Sequence, residues 1–240
     1  MIGFRELDDQ EPALHYSPLV RATERTFSYI TEHGGIGLTP SKAFKRNFVH
    51  WAAANFDWPG YSWNELFMVS KVLNEPDFMP LMCLHDMMIA LKIGRHIKGT
   101  FGMTKEGQSL IGHPGKIFDI MAPFFLFRVN HEYFSRKPMQ LTGNWDVFLN
   151  VLNVEAENGV TATALRETLY GPHDPAKGYD EALGGLYIQV LRPLCWVGLL
   201  AEHGSADSIS FGPRTFIKTP LWRAALQLDT DKYVHTATRH

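Results

Sequence analysis

Residues 84–111 constrain the fold of this chain more than any other stretch of its sequence. Apolar residues recur at helical spacing up to Gly94, and a glycine at that position favours the end of a helix. Residues 95–103 then form a predicted β-hairpin with its turn at residues 99 and 100. Thr104 follows as the N-cap of another helix. The stretch therefore predicts a helix, a hairpin and a capped helix in immediate succession.

A similar order recurs near the C-terminus. An apolar helix is predicted over residues 183–200, with a kink or break near Leu191 because Pro193 lies inside it. Gly204 is the predicted change from helix to hairpin. Strands are predicted at residues 208–211 and 215–217, with a turn at residues 212 and 213, and Thr219 caps a terminal helix. Because the two orders agree, we predict a mainly helical protein with short hairpins, built as tandem winged-helix-like domains.

Loop-forming residues set the predicted domain boundaries. Polar residues, prolines and glycines cluster over residues 135–143. We therefore assign residues 1–16 to a leader, 17–140 to the first winged-helix-like domain and 141–240 to the second. The N-terminus lacks the basic and apolar segments of an export signal, and the longest apolar run, residues 117–127, is too short to span a bilayer. Cys83 and Cys195 lie in apolar helical runs and are predicted to be buried thiols, so we expect a cytoplasmic protein.

Local rather than overall charge decides whether nucleic acid is a plausible partner. The formal net charge is −2, from 23 basic and 25 acidic residues, so any DNA contact must come from a basic patch. The two predicted hairpins supply such patches. The candidate DNA contacts are Lys92, Arg95, His96, Lys98 and Lys105 at the first hairpin, with Arg214 and Lys218 at the second. An equally weighted alternative is that the hairpins pack against a partner domain and their charges are only solvated.

No catalytic, metal or cofactor motif stands out in the sequence. The histidine pairs closest to metal-ligand spacing are His85 with His96 and His113 with His131, and neither has the i, i+4 spacing of a helical pair. No glycine pair carries the residues of a phosphate loop, and no nucleophile elbow is present. We expect a non-enzymatic binding protein without metal or cofactor. The alternative is an enzyme whose site is assembled from residues far apart in sequence.

Two runs of sequence resemble a known family: LTPSKAFKRNFVHWA and FMPLMCLHDMMIALKIGRHIKGTFGMTKEGQSLI. They are similar to the helical, wing-containing C-terminal segment of the Ri-plasmid open-reading-frame family of plasmids and transposons. The resemblance covers about residues 36–127. It rests on the dipeptide Leu-Thr that opens the first run, on a helix with aromatic and basic residues, and on the pattern K-G-x-F-x-(L/M)-T-K-x-G. The N-terminal domain of that family has no counterpart here, so no catalytic role is implied. The resemblance implies association with mobile elements, and we expect a component of a mobile element or of a toxin–antitoxin system.

A second resemblance concerns short peptides that end in Leu-Phe. Residues 62–67 and 123–127 end this way, and resemble the peptide by which ligands of the bacterial sliding clamp, including replication-inhibiting toxins, fill a pocket. The partner-peptide candidates are Leu66 and Phe67. Both peptides lack the usual leading Gln and lie in predicted helices, whereas a clamp peptide must be extended, so core packing of these residues is favoured.

The candidate partners are therefore DNA, a DNA-associated protein such as the sliding clamp, or an antitoxin or adaptor protein. A pure protein-interaction module is the remaining alternative, in which the apolar, Met-rich surface of the helix before the first hairpin meets a partner. No membrane contact is expected. Salt dependence separates the classes, because phosphate contacts weaken steeply with salt and an apolar interface is comparatively indifferent to it.

Overall fold

The computed structural model describes residues 2–135, 139, 141–204 and 214–234 of the chain. This part is mainly helical with small antiparallel sheets, which confirms the predicted fold class at that level. The chain divides into a first unit, Leu7–Phe124, and a second unit, Met1–Glu6 with Phe125–His240. This division lies within a helix, whereas the predicted boundary lies at residue 140. Among the described residues, no helix has both the length and the apolar character needed to cross a bilayer.

The elements are numbered in chain order. The first are β1 (Gly3–Phe4), α1 (Pro18–His33), β2 (Ile36–Gly37), α2 (Arg46–Asn55), α3 (Trp63–Val69), α4 (Met79–Ala90), β3 (Gly94–Ile97), β4 (Thr100–Met103), α5 (Lys105–Gln108) and α6 (Pro114–Arg128). They continue with α7 (Trp145–Glu155), β5 (Val160–Thr161), α8 (Ala162–Tyr170), α9 (Glu181–Leu186), α10 (Arg192–Val197), β6 (Leu200–His203), β7 (Thr215–Lys218), α11 (Pro220–Ala225), β8 (Leu226–Gln227) and α12 (Asp231–Val234). Short 3-10 turns lie at Pro12–Tyr16, Glu75–Asp77, His131–Phe134 and Pro175–Lys177.

The first unit places a three-stranded antiparallel sheet after its helices. The strand order is β2-β4-β3, with Ile36 opposite Phe101 and Gly94 opposite Met103. The hairpin turn consists of Lys98 and Gly99, both with positive φ (47° and 81°), as in two-residue turns that follow the twist of their strands. The predicted turn at residues 99 and 100 was therefore wrong by one residue, because residue 100 already pairs in β4.

Gly94 is required where α4 gives way to the hairpin. A Cβ atom built on Gly94 would lie 2.0 Å from the Cζ atom of Phe101 on the facing strand. Phe101 is fully buried, so its ring occupies the space that any other side chain at position 94 would need. The prediction that the helix ends and the hairpin begins at Gly94 is confirmed.

Local sequence signals explain the helix starts in the first unit. The Ser17 hydroxyl accepts the Val20 N–H at 3.2 Å, Pro18 occupies the first helical position, and Gly34 ends α1 with φ 74°. The pair Thr39-Pro40 has the residue types of a cap and a first helical position, but it does not start a helix, because α2 begins only at Arg46. The Thr39 N–H instead donates to the Ala43 carbonyl at 2.8 Å in a closed turn.

The second unit repeats the order of elements seen in the first. Its three-stranded sheet has the order β5-β7-β6, with Val160 opposite Phe216 and Leu200 opposite Lys218. In both units one outer strand of the sheet, β2 or β5, lies between the first two helices in sequence, and the hairpin follows α4 in the first unit and α10 in the second. Residues 3 and 4 of the predicted leader form β1, which pairs with β8.

The change from helix to hairpin in the second unit occurs at Gly198 and not at Gly204 as predicted. Gly198 ends α10 in the left-handed conformation with φ 89°, and β6 begins two residues later. Gly204 follows the end of that strand. The predicted strand at residues 208–211 and the turn at residues 212 and 213 lie outside the described residues, whereas the return strand and the helix capped by Thr219 are confirmed.

The apolar helix before the second hairpin is interrupted near the predicted position. A π-helical segment, Tyr187–Leu191, joins α9 to α10 and ends just before Pro193. Proline has no N–H to donate and crowds the preceding turn, which disfavours a regular α-helix through this region. The wider π-helical turns accommodate that defect.

Candidate functional site

The hairpin β3–β4 and the residues that flank it carry a group of exposed basic side chains. We call this group the basic hairpin surface; it comprises Lys92, Arg95, His96, Lys98 and Lys105. Lys92 follows α4 with φ 59°, and Lys98 lies at the hairpin tip. Within the described parts of the chain, none of the three lysines nor Arg95 forms an ion pair with an acidic side chain. These charges are therefore available to an anion from solution.

One acidic side chain belongs to the same region. The backbone N–H of Glu106 and the Thr104 hydroxyl, with smaller contributions from Lys105 and Lys92, lower the pKa of the Glu106 carboxyl. It is fully exposed at the start of α5, where it also favours the N-terminal end of the helix. Glu106 therefore reduces, without cancelling, the positive charge of the basic hairpin surface.

A buried carboxylate lies behind the hairpin. The Glu75 side chain is 4% exposed, and one of its oxygens accepts the Phe44 N–H at 2.6 Å. Its other oxygen lies 2.6 Å from Nδ1 of His85 on α4, and His85 is itself buried. His85 Nε2 lies 2.9 Å from Nε2 of His96 on β3. The three side chains therefore form a continuous hydrogen-bonded chain from the core to the exposed face of the hairpin.

Aromatic rings enclose the middle of this chain. The Phe44 ring stacks on His85 with centroids 3.8 Å apart, and Phe101 meets the same imidazole edge to face at 5.0 Å. Burial lowers the pKa of His96, and the nearby charges of His85 and Lys42 lower it further, while Glu75 opposes the change. From the sequence, His85 and His96 were paired only as possible metal ligands, and His96 by itself was a candidate DNA contact. The contact with Glu75 had no sequence signal, because it depends on the fold.

The cations of the second hairpin have partners within their own unit. Arg214 Nη1 donates to Glu202 Oε1 and to the Tyr187 hydroxyl, each at 2.8 Å. Lys218 Nζ lies 2.5 Å from Glu157 Oε2 and donates to the Asn153 carbonyl at 2.7 Å. These two predicted DNA contacts therefore already neutralise carboxylates, which distinguishes them from the basic hairpin surface.

The exposed face of α4 offers little to a DNA base. The outward positions of this helix are Asp86, Ile89 and Ala90, with Met82 half-buried beside them. None of these side chains donates a hydrogen bond to a base edge, and Asp86 repels phosphate. The predicted Met-rich contact surface on this helix was also wrong in part, because Met87 and Met88 are among the buried core residues.

The two partner-peptide candidates lie inside α3. Leu66 is 6% exposed, and Phe67 is half-buried with its ring 4.4 Å from that of Trp63. A complete capping box formed by Ser62 and Glu65 starts this helix. Leu66 and Phe67 are therefore helical and packed, and do not present the extended peptide that a clamp pocket requires. The exposed apolar side chains of this region follow them, at Met68 (84%), Val69 (86%) and Val72 (51%).

The remaining histidines considered as metal ligands, His113 and His131, each have a hydrogen-bond partner within their own unit. His113 Nδ1 lies 2.6 Å from Asp9 Oδ2, and His131 donates from Nε2 to the Phe125 carbonyl at 2.8 Å. In the portion of the chain that the structure describes, no group of three or more His, Cys, Asp or Glu side chains has the arrangement of a metal site.

The second unit contains a cavity of about 530 Å³ that the sequence analysis missed. It is lined by Arg5, Arg223, Lys218, Asn153, Trp222 and Asp231, among others. Asn153 is 2% exposed and is fully engaged, since its Oδ1 accepts the Trp222 indole N–H and its amide donates to Thr230 and Asp231. The polar groups of Asn153 are therefore satisfied within the protein, and the cavity wall carries charges of both signs.

Comparisons with known proteins match both parts of the chain. The Y4jL N-terminal domain matches residues 15–116, and the y4jL C-terminal domain matches residues 135–220. The uncharacterized protein y4jL of Sinorhizobium fredii (strain NBRC 101917 / NGR234) is 40% identical over 166 residues, which cover 69% of this chain and 74% of that relative. The chain belongs to the y4jL family. No solved structure matches this y4jL-family chain.

The two y4jL domain matches each contain one of the three-stranded sheets. The first includes β2, β3 and β4, and the second includes β5, β6 and β7. The repeated order of helices and strands therefore coincides with the two family domains. The resemblance to the Ri-plasmid family stays a prediction.

Proposed function

We propose that this y4jL-family chain is a non-enzymatic tandem winged-helix protein that binds duplex DNA by phosphate contacts from its first hairpin. A winged helix has a strand after its first helix and a hairpin, the wing, after its later helices. The orders α1-β2-α2-α3-α4-β3-β4 and α7-β5-α8-α9-α10-β6-β7 support the proposal. The observation that carries the proposal is the set of cations on the basic hairpin surface that have no ion-pair partner among the described residues. Wings commonly place such charges against the DNA backbone.

The expected binding is independent of base sequence. The exposed face of α4 lacks the donors that read base edges, so the contacts would position the protein without selecting a site. The setting in a mobile element or toxin–antitoxin system is part of the proposal and rests on the sequence resemblance alone. The near-neutral net charge predicts modest affinity.

Salt dependence tests this function directly. Lys92, Arg95, Lys98 and Lys105 supply four full charges, and each neutralised phosphate contributes about −0.9 to the slope of log affinity against log salt. Four contacts therefore predict a loss of about 100-fold between about 50 mM and about 200 mM salt. Fluorescence anisotropy with a labelled random-sequence duplex measures this slope. Absence of binding at low salt, or a flat salt dependence, would refute the proposal.

A matched pair of charge variants locates the contact. Lys98→Gln removes a cation from the hairpin tip, whereas Lys71→Gln removes an exposed cation that lies outside the basic hairpin surface. We expect the first variant to reduce the magnitude of the salt slope by about 1, and the second to leave it unchanged. Equal effects of the two variants would mean that binding follows overall charge and not the hairpin.

A protein-interaction module is the second candidate, and one observation favours it. Met68 and Val69 at the end of α3 are each more than four-fifths exposed, and Val72 adds to the same apolar segment. Association through this segment would be nearly independent of salt. Sedimentation equilibrium of the whole chain tests self-association, with Met68→Glu as the variant that would disrupt it.

A further inference from the structure

The hydrogen bond between His85 and His96 has room for one proton between the two Nε2 atoms. The Glu75 carboxylate accepts a hydrogen bond from the Nδ1–H of His85, so the second nitrogen of that ring faces His96. The two Nε2 atoms are 2.9 Å apart, a distance at which a single proton lies between them. With His85 neutral, His96 donates its Nε2–H and keeps its Nδ1 as a free acceptor.

The next proton leaves this contact intact. A proton from solvent that binds Nδ1 of His96 creates an imidazolium whose Nε2–H still donates to His85. The chain then carries a positive charge on His96 and a negative charge on Glu75, with a neutral ring between them. A further proton would place hydrogens on both Nε2 atoms and break the contact. The arrangement therefore accepts one extra proton without rearrangement.

Charged groups around His96 come from several elements. Glu75 lies in the 3-10 turn before α4 and favours the protonated ring, whereas Lys42, in the segment before α2, opposes it. Asp86 on α4 interacts electrostatically with His85 and Glu75. The strand beside His96 contributes the apolar ring of Phe101. A phosphate at the basic hairpin surface would add negative charge and so favour proton uptake.

We propose that the hydrogen-bonded chain of Glu75, His85 and His96, here called the relay, makes phosphate binding by the basic hairpin surface depend on pH. This inference rests on the proposed function and deepens it. Binding of a phosphate beside His96 is accompanied by uptake of one proton from solvent at Nδ1 of His96. By linkage, lowering the pH strengthens binding in the range where a histidine titrates. Glu75 and His85 act as positioning residues that orient the His96 ring.

Duplex binding measured against pH tests the relay. Linked uptake of one proton changes affinity by at most about tenfold per pH unit, and we expect a total gain of about tenfold between about pH 7.5 and about pH 5.5. The probe is a labelled random-sequence duplex at constant ionic strength. His96→Gln should lose most of this gain. Lys98→Gln is the control, which should bind more weakly at each pH but keep the same gain.

The outcomes separate the relay from the proposed function. If the wild-type chain binds duplex with the expected salt slope but His96→Gln keeps the full pH-dependent gain, the relay is refuted and the function stands. If the wild-type chain binds no duplex at any pH, the function is refuted and the pH-dependent binding with it. Nitrogen-15 NMR of the imidazole rings then tests the relay alone, because Glu75→Gln removes a charge that favours the protonated His96 ring and should lower the pKa of His96 further. An unchanged His96 titration would refute the coupling of His96 to Glu75.

Discussion

Burial of a neutral histidine in the second unit makes this protein sensitive to mild acid. His131 is 6% exposed, and its ring lies edge to face against Phe125 at 4.7 Å. Burial lowers the pKa of His131 to about 4, while the hydrogen bond to the Phe125 carbonyl opposes this change and the charge of Arg192 adds to it. The folded protein therefore holds this imidazole uncharged under conditions in which an exposed histidine would carry a proton.

The sign of the effect follows from proton counting. The pKa of His131 is about 4 in the folded state and about 6.5 in the unfolded chain, so the unfolded state binds more protons between these values. The stabilising contribution is complete above about pH 6.5 and is lost as the pH falls. Linkage gives a loss of about 2 kcal/mol between pH 7 and pH 5, and about 3 kcal/mol by pH 4.

A glutamine substitution isolates the contribution of His131. His131→Gln keeps an N–H that can donate to the Phe125 carbonyl but removes the titrating group. Urea denaturation of both proteins at pH 7, 6 and 5 gives the free energy of unfolding. We expect the variant to be less stable at pH 7 and the difference from wild type to shrink by about 2 kcal/mol at pH 5. Parallel pH profiles of the two proteins would refute the reasoning, because acid effects on other groups cancel in the comparison.

Urea denaturation also tests three contacts that do not titrate. Gly94→Ala should cost about 2 to 3 kcal/mol because its Cβ has no space, whereas Gly102→Ala on the neighbouring strand should cost less than about 1 kcal/mol; equal costs would contradict the packing argument. Asn153→Ala should cost about 3 kcal/mol by leaving buried donors unpaired, and less in a Trp222→Phe background; strictly additive costs would show that the two side chains are not coupled. Ser62→Ala should cost about 1 kcal/mol by removing the cap of α3, and no loss would mean that this cap is unimportant.

Sequence patterns predicted the local structure of the first unit well because helix caps and glycine boundaries depend on residues that are close together in the sequence. The pair Ser17-Pro18 has the residue types of a helix start and begins α1, and the boundary predicted at Gly94 separates α4 from the hairpin in the structure. Both signals act within a few residues through backbone conformation and capping. In the second unit the change from helix to hairpin was predicted at Gly204 but occurs at Gly198, because strand pairing and not the presence of a glycine decides its position.

The candidate site was predicted only in part. The cations of both hairpins were recognised from sequence, but their availability was not, because an ion pair such as Lys218 with Glu157 joins residues far apart in the chain. The same limit applied to Leu66, whose burial in α3 removes it from a peptide-binding role.

The sequence by itself determined that the chain is mainly helical, that hairpins follow helices in two places, and that one hairpin is rich in cations. These properties depend on residue periodicity, turn chemistry and composition, which act locally. The tertiary structure alone decided which cations are left without a carboxylate and that Glu75 lies behind His85 and His96. The physical reason is that such contacts require the turn of Glu75 to fold back beside α4 and β3, and no local pattern encodes that proximity.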